Sequence, residues 1–163
     1  MGGGKGGGGV VMPAFRAAER GDLAAIIGLL ADDPLGKYRE AAEKPLERRY
    51  LEAFAAISAD PRQVLAVGVV GGEVVGCLQI TVIPGLSRFG ESRGQIEGVR
   101  VTSRHRGQGI GGAMMRWAVE ECRARGCGVV QLTTDKRRVE AQRFYRGLGF
   151  EASHEGMKLA LAP

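Results

Sequence analysis

The sequence predicts one α/β domain built around a single central sheet. The 163 residues suffice for one core, and 44% hydrophobic with 25% charged residues is ordinary for a globular protein. Strand patterns alternate with helical periodicity along the chain, and neither a repeat nor a linker divides them. No apolar run approaches the ~20 residues of a membrane-spanning helix, which argues against a membrane protein.

The first elements predicted are a strand and two helices. A Gly-rich start, residues 1–9, is expected to be a flexible tail before the domain, residues 10–163. A strand is predicted over residues 10–17, followed by a helix capped by Asp22. The apolar residues of this helix share one face: Leu23, Ile26, Ile27 and Leu30. A second helix is predicted over residues 39–58, kinked or divided at Pro45.

Strand signals dominate the middle of the chain. Two β-rich runs meet at Gly71-Gly72, a two-residue hairpin signal. Residues 86–94 have the composition of a loop. A short strand, residues 95–102, then contains Gly98, which a strand tolerates best at a bulge or a close backbone approach.

The last part alternates helices and strands. A helix is predicted from Gly109 to a stop at Gly126, because its apolar residues recur at helical spacing. A buried strand is predicted over residues 129–134, a short helix over residues 137–150 and a final strand over residues 157–162.

The stretch RHRGQGIGG, residues 104–112, lies on the predicted strand-to-helix turn. A helix N-terminus presents unpaired N–H groups and a positive dipole, and glycine lets a phosphate approach them. Arg104 and Arg106 add positive charge. A dinucleotide fingerprint fits loosely and a phosphate loop lacks its Gly-Lys-Ser/Thr, so the remaining alternatives are a phosphate-bearing ligand and a simple tight turn.

Positive charge is concentrated around this turn. The chain carries a net charge of +5, and residues 100–146 contain eleven basic side chains against four acidic ones. Such a field suits a compact polyanionic ligand, although a nucleic-acid face could produce the same count. The aromatic content of 6% offers few stacking platforms, and no nucleic-acid motif is recognisable.

Metal and disulfide chemistry are not expected. The three cysteines, Cys77, Cys122 and Cys127, lack C-x-x-C spacing, and the two histidines, His105 and His154, are far apart in sequence. We interpret the cysteines as reduced, packed thiols.

Residues 106–111 read RGQGIG and residues 141–150 read AQRFYRGLGF. These two motifs resemble the R/Q-x-x-G-x-G/A signature and the A-x-x-F-Y-x-x-x-G-F block of the GNAT superfamily of acetyl-CoA-dependent N-acetyltransferases. The resemblance covers residues 63–161 well and the front helices loosely. It implies a GNAT fold with a mixed sheet of about six to seven strands, about four helices and a splayed cofactor-binding strand.

The resemblance also implies an activity: acetyl transfer from acetyl-CoA to a primary amine, by direct attack in a ternary complex. The acceptor would be a small molecule, an amino acid or a protein or peptide amine, with neither nucleic acid nor membrane as partner. Dimers are common in the family, so a homodimer is one expected state, although no residue pattern fixes it. Missing targeting signals, reduced cysteines and this co-substrate suggest a cytoplasmic protein.

The cofactor residues follow from the same resemblance. The pantetheine arm runs beside the fourth strand in this family, which nominates the backbone of Val99, Arg100 and Val101 and a bulge at Gly98. The pyrophosphate would lie on the glycine turn, formed by Arg106, Gly107, Gln108, Gly109, Ile110, Gly111 and Gly112. Many members carry Asn where this chain has Arg138, so the role of Arg138 in cofactor or acceptor binding is open.

Two side chains are nominated for catalysis by resemblance. Glu97 occupies a position where several relatives carry the base, whereas the alternative position holds Gln95. Tyr145 matches the acid that protonates the departing thiolate in many members. A backbone N–H of Val99 or Val101 could stabilise the oxyanion.

Two other functions stay open at this point. A non-catalytic acyl-CoA sensor would bind the cofactor without turnover, and a nucleic-acid-binding protein would use the basic surface. Acidic side chains in the front helices could favour a cationic substrate or form a solvated face: Asp32, Asp33, Glu40, Glu43 and Glu47.

Overall fold

A five-stranded mixed sheet forms the centre of the protein. The computed structural model describes residues 12–32 and 46–161, and the strands in this part are β1 (Ala14–Ala17), β2 (Gln63–Val70), β3 (Glu73–Ile83), β4 (Ser92–Val101) and β5 (Cys127–Leu132). Their order in the sheet is their order in the chain. The first four strands are antiparallel neighbours, whereas β5 runs parallel to β4. A parallel pair needs a crossover connection, and the longest helix supplies it.

Helices lie on both faces of this sheet. In the described part of the chain they are α1 (Leu23–Ala31), α2 (Arg48–Ala59), α3 (Ser87–Gly90), α4 (Ile110–Ala124) and α5 (Val139–Gly147). α3 is a single turn in which Arg88 and Phe89 have positive φ angles of 52° and 59°. α4 is the crossover between β4 and β5.

The sheet has a separate apolar cluster on each face. On one, which we call the α4 face, Leu78, Ile80 and Ile96 pack against Met114 and its neighbours in α4. On the other, the α1 face, Val67 and Cys77 pack against Ile26 and Leu29 of α1. Successive side chains of a regular strand point to opposite faces, so these clusters fix the direction of the β4 side chains from Arg93 to Glu97.

Several predicted turns are confirmed. Gly71 and Gly72 join β2 to β3 with φ angles of 58° and 85°, as a type I′ hairpin requires. Gly126 follows α4 in the left-handed region at φ 76°, the usual end of a helix. These positions were predictable because only glycine adopts such angles without cost.

The start of α1 differs in detail from the prediction. Asp22 precedes α1, but its carboxylate accepts hydrogen bonds from the Glu19 N–H (2.7 Å) and from the Arg16 guanidinium (2.6 Å) instead of capping that helix. Leu29 is buried, whereas Leu30 is only partly so, because the helix turns Leu29 toward Val67 and Cys77.

The end of the chain corrects the predicted strand count. Six to seven strands were expected, and five are present in residues 12–32 and 46–161. Residues 151–161 contain no regular strand, and Met157, Leu159 and Leu161 are at least 85% exposed. Alternating apolar residues form a strand only when a neighbouring strand accepts their backbone hydrogen bonds, and none does so here.

Other boundaries also change. The strand predicted as buried, β5, is covered on one face only, because Val130 and Leu132 pack into the core while Gln131 and Val129 (37% exposed) face away. The loop predicted over residues 86–94 is shortened by α3 and by the start of β4. The predicted tail, residues 1–9, and the start of the second predicted helix, residues 39–45, lie outside the described residues. No helix of the described ranges has the length and apolar character needed to cross a bilayer.

Candidate functional site

The bulge predicted at Gly98 is present in β4. In the register of β3 against β4, Gln79 lies opposite Glu97 and Cys77 lies opposite Arg100. Two residues of β4, Gly98 and Val99, therefore lie opposite the single residue of β3 between Cys77 and Gln79. Gly98 has φ 63°, and the nearest heavy atom to a Cβ built there is 3.9 Å away in Leu30. The backbone angle, and not the space, therefore demands glycine at this bulge.

Beyond the middle of β4 the sheet splits. The pairing of β4 with β5 ends at Ile96 opposite Leu132, whereas β4 continues to Val101 with β3 as its strand partner. The carbonyl oxygen of Val99 accepts a hydrogen bond from the Arg100 guanidinium (2.8 Å) and that of Val101 accepts one from Arg106 (3.2 Å). Both carbonyl groups are hydrogen-bonded to side chains and not to a neighbouring strand. An extended ligand can therefore take the position of a strand and pair with them.

The glycine turn lies at the end of this split. Gly107 and Gly109 have φ angles of 76° and 80°, and the first intrahelical bond of α4 runs from the Ala113 N–H to the Gly109 carbonyl (3.0 Å). The amides of Ile110, Gly111 and Gly112 therefore precede the helical ladder, an arrangement that can bind an anion at a helix N-terminus.

Gly111 is where three elements meet. A Cβ built on Gly111 would lie 3.5 Å from the Phe144 ring and 3.7 Å from the Val101 side chain. The start of α4, the end of β4 and α5 therefore converge, and this convergence brings together the two segments that carry the sequence motifs.

The arginines of the turn are paired with surface carboxylates. Arg104 forms an ion pair with Glu73, and Arg106 lies 3.6 Å from Asp32. Each pair is more than half exposed, and such pairs contribute little to stability, so a bound phosphate could replace the carboxylate. Gln108 has a structural role, because its carboxamide donates a hydrogen bond to the Arg104 carbonyl (3.1 Å).

Tyr145 is half-buried on the α4 face. Its ring packs against Phe144 and Phe150, with centroid distances of 5.2 and 6.1 Å. Burial raises the pKa of Tyr145 above its ordinary value, and the positive charges of Arg100 and Arg138 partly offset this rise. The phenol is therefore protonated at neutral pH, as a proton donor must be.

Glu97 lies on the opposite face of the sheet. Its neighbour Ile96 packs into the cluster on the α4 face, so the alternation of the strand directs Glu97 to the α1 face, where it is exposed. Glu97 and Tyr145 can therefore act on one ligand only through the split between β4 and β5. Arg138, at the start of α5, lies close enough to Tyr145 to affect its pKa.

The thiols are not arranged as nucleophiles. Burial raises the pKa of Cys77 to about 12 and that of Cys122 to about 11, so both are protonated at neutral pH. In residues 12–32 and 46–161, no three His, Cys, Asp or Glu side chains come together as metal ligands.

The sequence reasoning missed a set of polar side chains on the α1 face. Gln63, Thr81, Gln95 and Gln131 lie opposite one another on four adjacent strands. Arg93 lies on the same face, two residues before Gln95. In the sequence, the alternation of Arg93, Gln95 and Glu97 with Gly94 and Ile96 indicates one polar face of β4. Only the register between strands shows that this polar face continues onto the neighbouring strands.

Comparisons with known proteins agree with this geometry. The family model described as the Acetyltransferase (GNAT) family matches residues 15–150. An aminoalkylphosphonate N-acetyltransferase of Salmonella typhimurium is 33% identical over 64% of this chain and 68% of its own length. A streptothricin acetyltransferase of Streptomyces lavendulae is 28% identical over 83% of this chain and 80% of its own length.

A solved structure is also similar. A protein of Bacillus halodurans C-125, described as a transcriptional regulator, is 49% identical and superposes with a TM-score of 0.89 over 91% of this chain and 99% of its own.

Proposed function

This chain belongs to the GNAT family of acetyltransferases, and from that membership we propose that it acetylates a small-molecule primary amine by direct attack in a ternary complex. Acetyl-CoA is the acetyl donor of the family. The related Salmonella and Streptomyces enzymes are named for amine-bearing small molecules, which supports an acceptor of that class.

The observation that carries the proposal is the split between β4 and β5. The carbonyls of Val99 and Val101 face this split without a strand partner, and an extended pantetheine arm has the amides to pair with such groups. The unpaired amides at the start of α4 lie beside Val101, where they would hold the pyrophosphate. Arg106 and Arg138 would supply charge for the phosphates on either side.

The chemistry divides between the two faces of the sheet. Acetyl-CoA, when bound, supplies the activated thioester carbonyl. Glu97, from the α1 face, takes a proton from the ammonium group of the acceptor, directly or through water, so that the neutral nitrogen can bond the carbonyl carbon. An N–H of Val99 or Val101 stabilises the oxyanion. As the carbon–sulfur bond breaks, Tyr145 donates its phenolic proton to the thiolate, and the nitrogen loses its second proton, which returns to the Tyr145 phenolate through solvent. The products are an N-acetyl amide, free CoA and the proton that Glu97 releases to solvent.

The first experiment is calorimetric titration with acetyl-CoA and CoA, with ATP and NADH as controls. Saturable binding of the first two ligands alone is expected. An amine screen with thiol detection follows, in which Glu97→Gln should lower kcat by roughly 10²- to 10⁴-fold while acetyl-CoA affinity stays the same. The matched control is Glu120→Gln, at an exposed position on α4. Absence of acetyl-CoA binding would contradict the proposal.

A second candidate is a non-catalytic acyl-CoA sensor. The observation that favours it is the 49% identical protein of Bacillus halodurans C-125, described as a transcriptional regulator. A sensor would bind acetyl-CoA and show no thiol release with any amine. Binding to duplex DNA that weakens steeply with salt would support a regulatory role, whereas thiol release that depends on Glu97 would support the enzyme.

A further inference from the structure

The polar part of the α1 face is a continuous surface. We call it the amide floor and define it as Gln63, Gln79, Thr81, Gln95 and Gln131. α1 covers the adjoining apolar part of this face around Val67 and Cys77. The floor therefore begins where the apolar cover ends, and Glu97 lies at its border beside Gln79.

The carboxamides of the floor hold one another in place. The side-chain oxygen of Gln63 accepts hydrogen bonds from Thr81 (2.8 Å) and Gln79 (3.0 Å), and that of Gln95 accepts one from Gln131 (2.7 Å). Side chains fixed in this way provide a preorganised polar surface that can accompany an extended ligand.

Arg93 stands at the far end of this floor from Glu97. Its register partners, Ile83 on β3 and Val129 on β5, are apolar. Its Nε is buried without a hydrogen-bond partner, and Arg93 makes no ion pair with any of the described residues. The carboxylate nearest along the strand, that of Glu91, pairs with Arg88 instead (3.6 Å).

The buried Nε of Arg93 is costly to leave without a hydrogen-bond partner, and none of the described residues supplies one. Arginine binds carboxylate and phosphoryl groups in a bidentate manner, which suits it to hold an anion at this position. Glu97, four residues further along β4, has the opposite charge and attracts an ammonium group. At ~3.3 Å per residue the two Cα atoms are about 13 Å apart.

We propose that the acceptor is an amine that also carries an anionic group, a carboxylate or phosphoryl group separated from the amine by a chain of several atoms, and that Arg93 binds this anion. The inference rests on the proposed function, because it assigns the amine to Glu97. The ligand lies along β4 over Gln95, with its ammonium at the split and its anion at the edge of the floor. Arg93 is thus a specificity-determining residue that does not touch the reacting atoms.

Matched acceptors test this assignment. ω-Aminohexanoate and its neutral carboxamide, ω-aminohexanamide, differ only in the anionic group. Glycine and glycinamide differ in the same way, but the carbon chain of glycine is too short to reach Arg93. We expect kcat/KM to favour ω-aminohexanoate over its amide by roughly tenfold or more. The short pair should show no such preference.

Variants assign the preference to one side chain. Arg93→Gln should abolish the preference for the acid while acetyl-CoA affinity and turnover of the amide are retained. Arg123→Gln is the control, since it removes the same charge from an exposed position on α4, on the other face of the sheet. Arg93→Lys keeps the charge without the planar fork and should retain part of the preference.

The outcomes separate this inference from the proposed function. If acetyl-CoA binds but the wild type shows no preference for the acid, or does not acetylate ω-aminohexanoate at all, the inference is wrong. A preference that survives in Arg93→Gln also overturns it, and the wild-type comparison decides the matter even if that variant does not fold. Failure of acetyl-CoA to bind refutes the proposed function itself.

Discussion

At the scale of single residues, Tyr145 is the side chain whose protonation can be followed directly. Burial, partly offset by Arg100 and Arg138, holds its pKa above the ordinary value of about 10. A proton donor is active in its protonated form, so its contribution is complete at neutral pH. It is lost as the pH rises through the raised pKa.

Tyr145→Phe is therefore expected to lower kcat by roughly 10²-fold and to remove the decline of kcat above pH ~10. The substitution keeps the ring that packs between Phe144 and Phe150, so stability should change little. The measurement is kcat against pH from about 7 to 11 for both proteins. Identical profiles would exclude Tyr145 from the mechanism.

Two glycines differ in whether the backbone at their position requires glycine. Gly98 lies in a bulge with φ 63°, whereas Gly28 lies within α1 and has open space where a Cβ would be. We expect Gly98→Ala to destabilise the protein by about 1–2 kcal/mol because an L-residue is strained in the left-handed region. Gly28→Ala should stabilise it by about 0.5–1 kcal/mol. Urea unfolding measures the change in the free energy of unfolding for both variants. If both substitutions changed it in the same direction, the assignment of the bulge would be contradicted.

At the scale of elements, Asp22 ties the start of α1 to β1 through Arg16. The hydrogen bond from Arg16, together with that from the Glu19 N–H, holds the pKa of Asp22 below its ordinary value despite desolvation. A lowered folded-state pKa means that this stabilisation is present above the unfolded-state pKa of about 3.9 and disappears as the pH falls through the folded value.

We expect Asp22→Asn to lower the free energy of unfolding at pH ~7 by about 1–3 kcal/mol. The difference from wild type should shrink in acid, where both proteins are uncharged at this position. Urea unfolding at several pH values checks this. Glu52→Gln, in an exposed pair with Arg48 on α2, is the control and should have little effect at any pH.

Elements with a local signal were predictable from the sequence, and those that depend on a distant partner were not. The β2–β3 hairpin and the ends of α4 follow from glycines whose φ angles are positive. The strand expected over residues 157–162 is missing from the described residues, because its alternating pattern says nothing about which strand would pair with it. For the same reason, Glu97 could be nominated from its position in a motif, whereas Arg93 required the register of β4.

At the scale of the whole molecule, positive charge is concentrated between residues 100 and 146, the part of the chain that forms the glycine turn, α4 and α5. Its long-range attraction for a polyanion is screened by salt, with a Debye length of about 10 Å at 0.1 M and 3 Å at 1 M. Acetyl-CoA affinity should therefore fall several-fold between about 0.05 and 0.5 M NaCl. S-acetylpantetheine, which lacks the phosphates, is the control, and an equal loss of affinity would argue against phosphate binding at this surface.

The one-sided pairing of β5 has a consequence for amide hydrogen exchange. Alternate residues of a parallel strand direct their N–H groups to opposite sides, and β5 has a strand partner on the β4 side only, within the described part of the chain. Protection from exchange should therefore alternate along Cys127–Leu132, with slow amides toward β4 and fast ones toward solvent. Slow exchange at every amide of β5 would instead show that another strand, from residues 151–161 or from a second copy of the chain, covers this edge in solution.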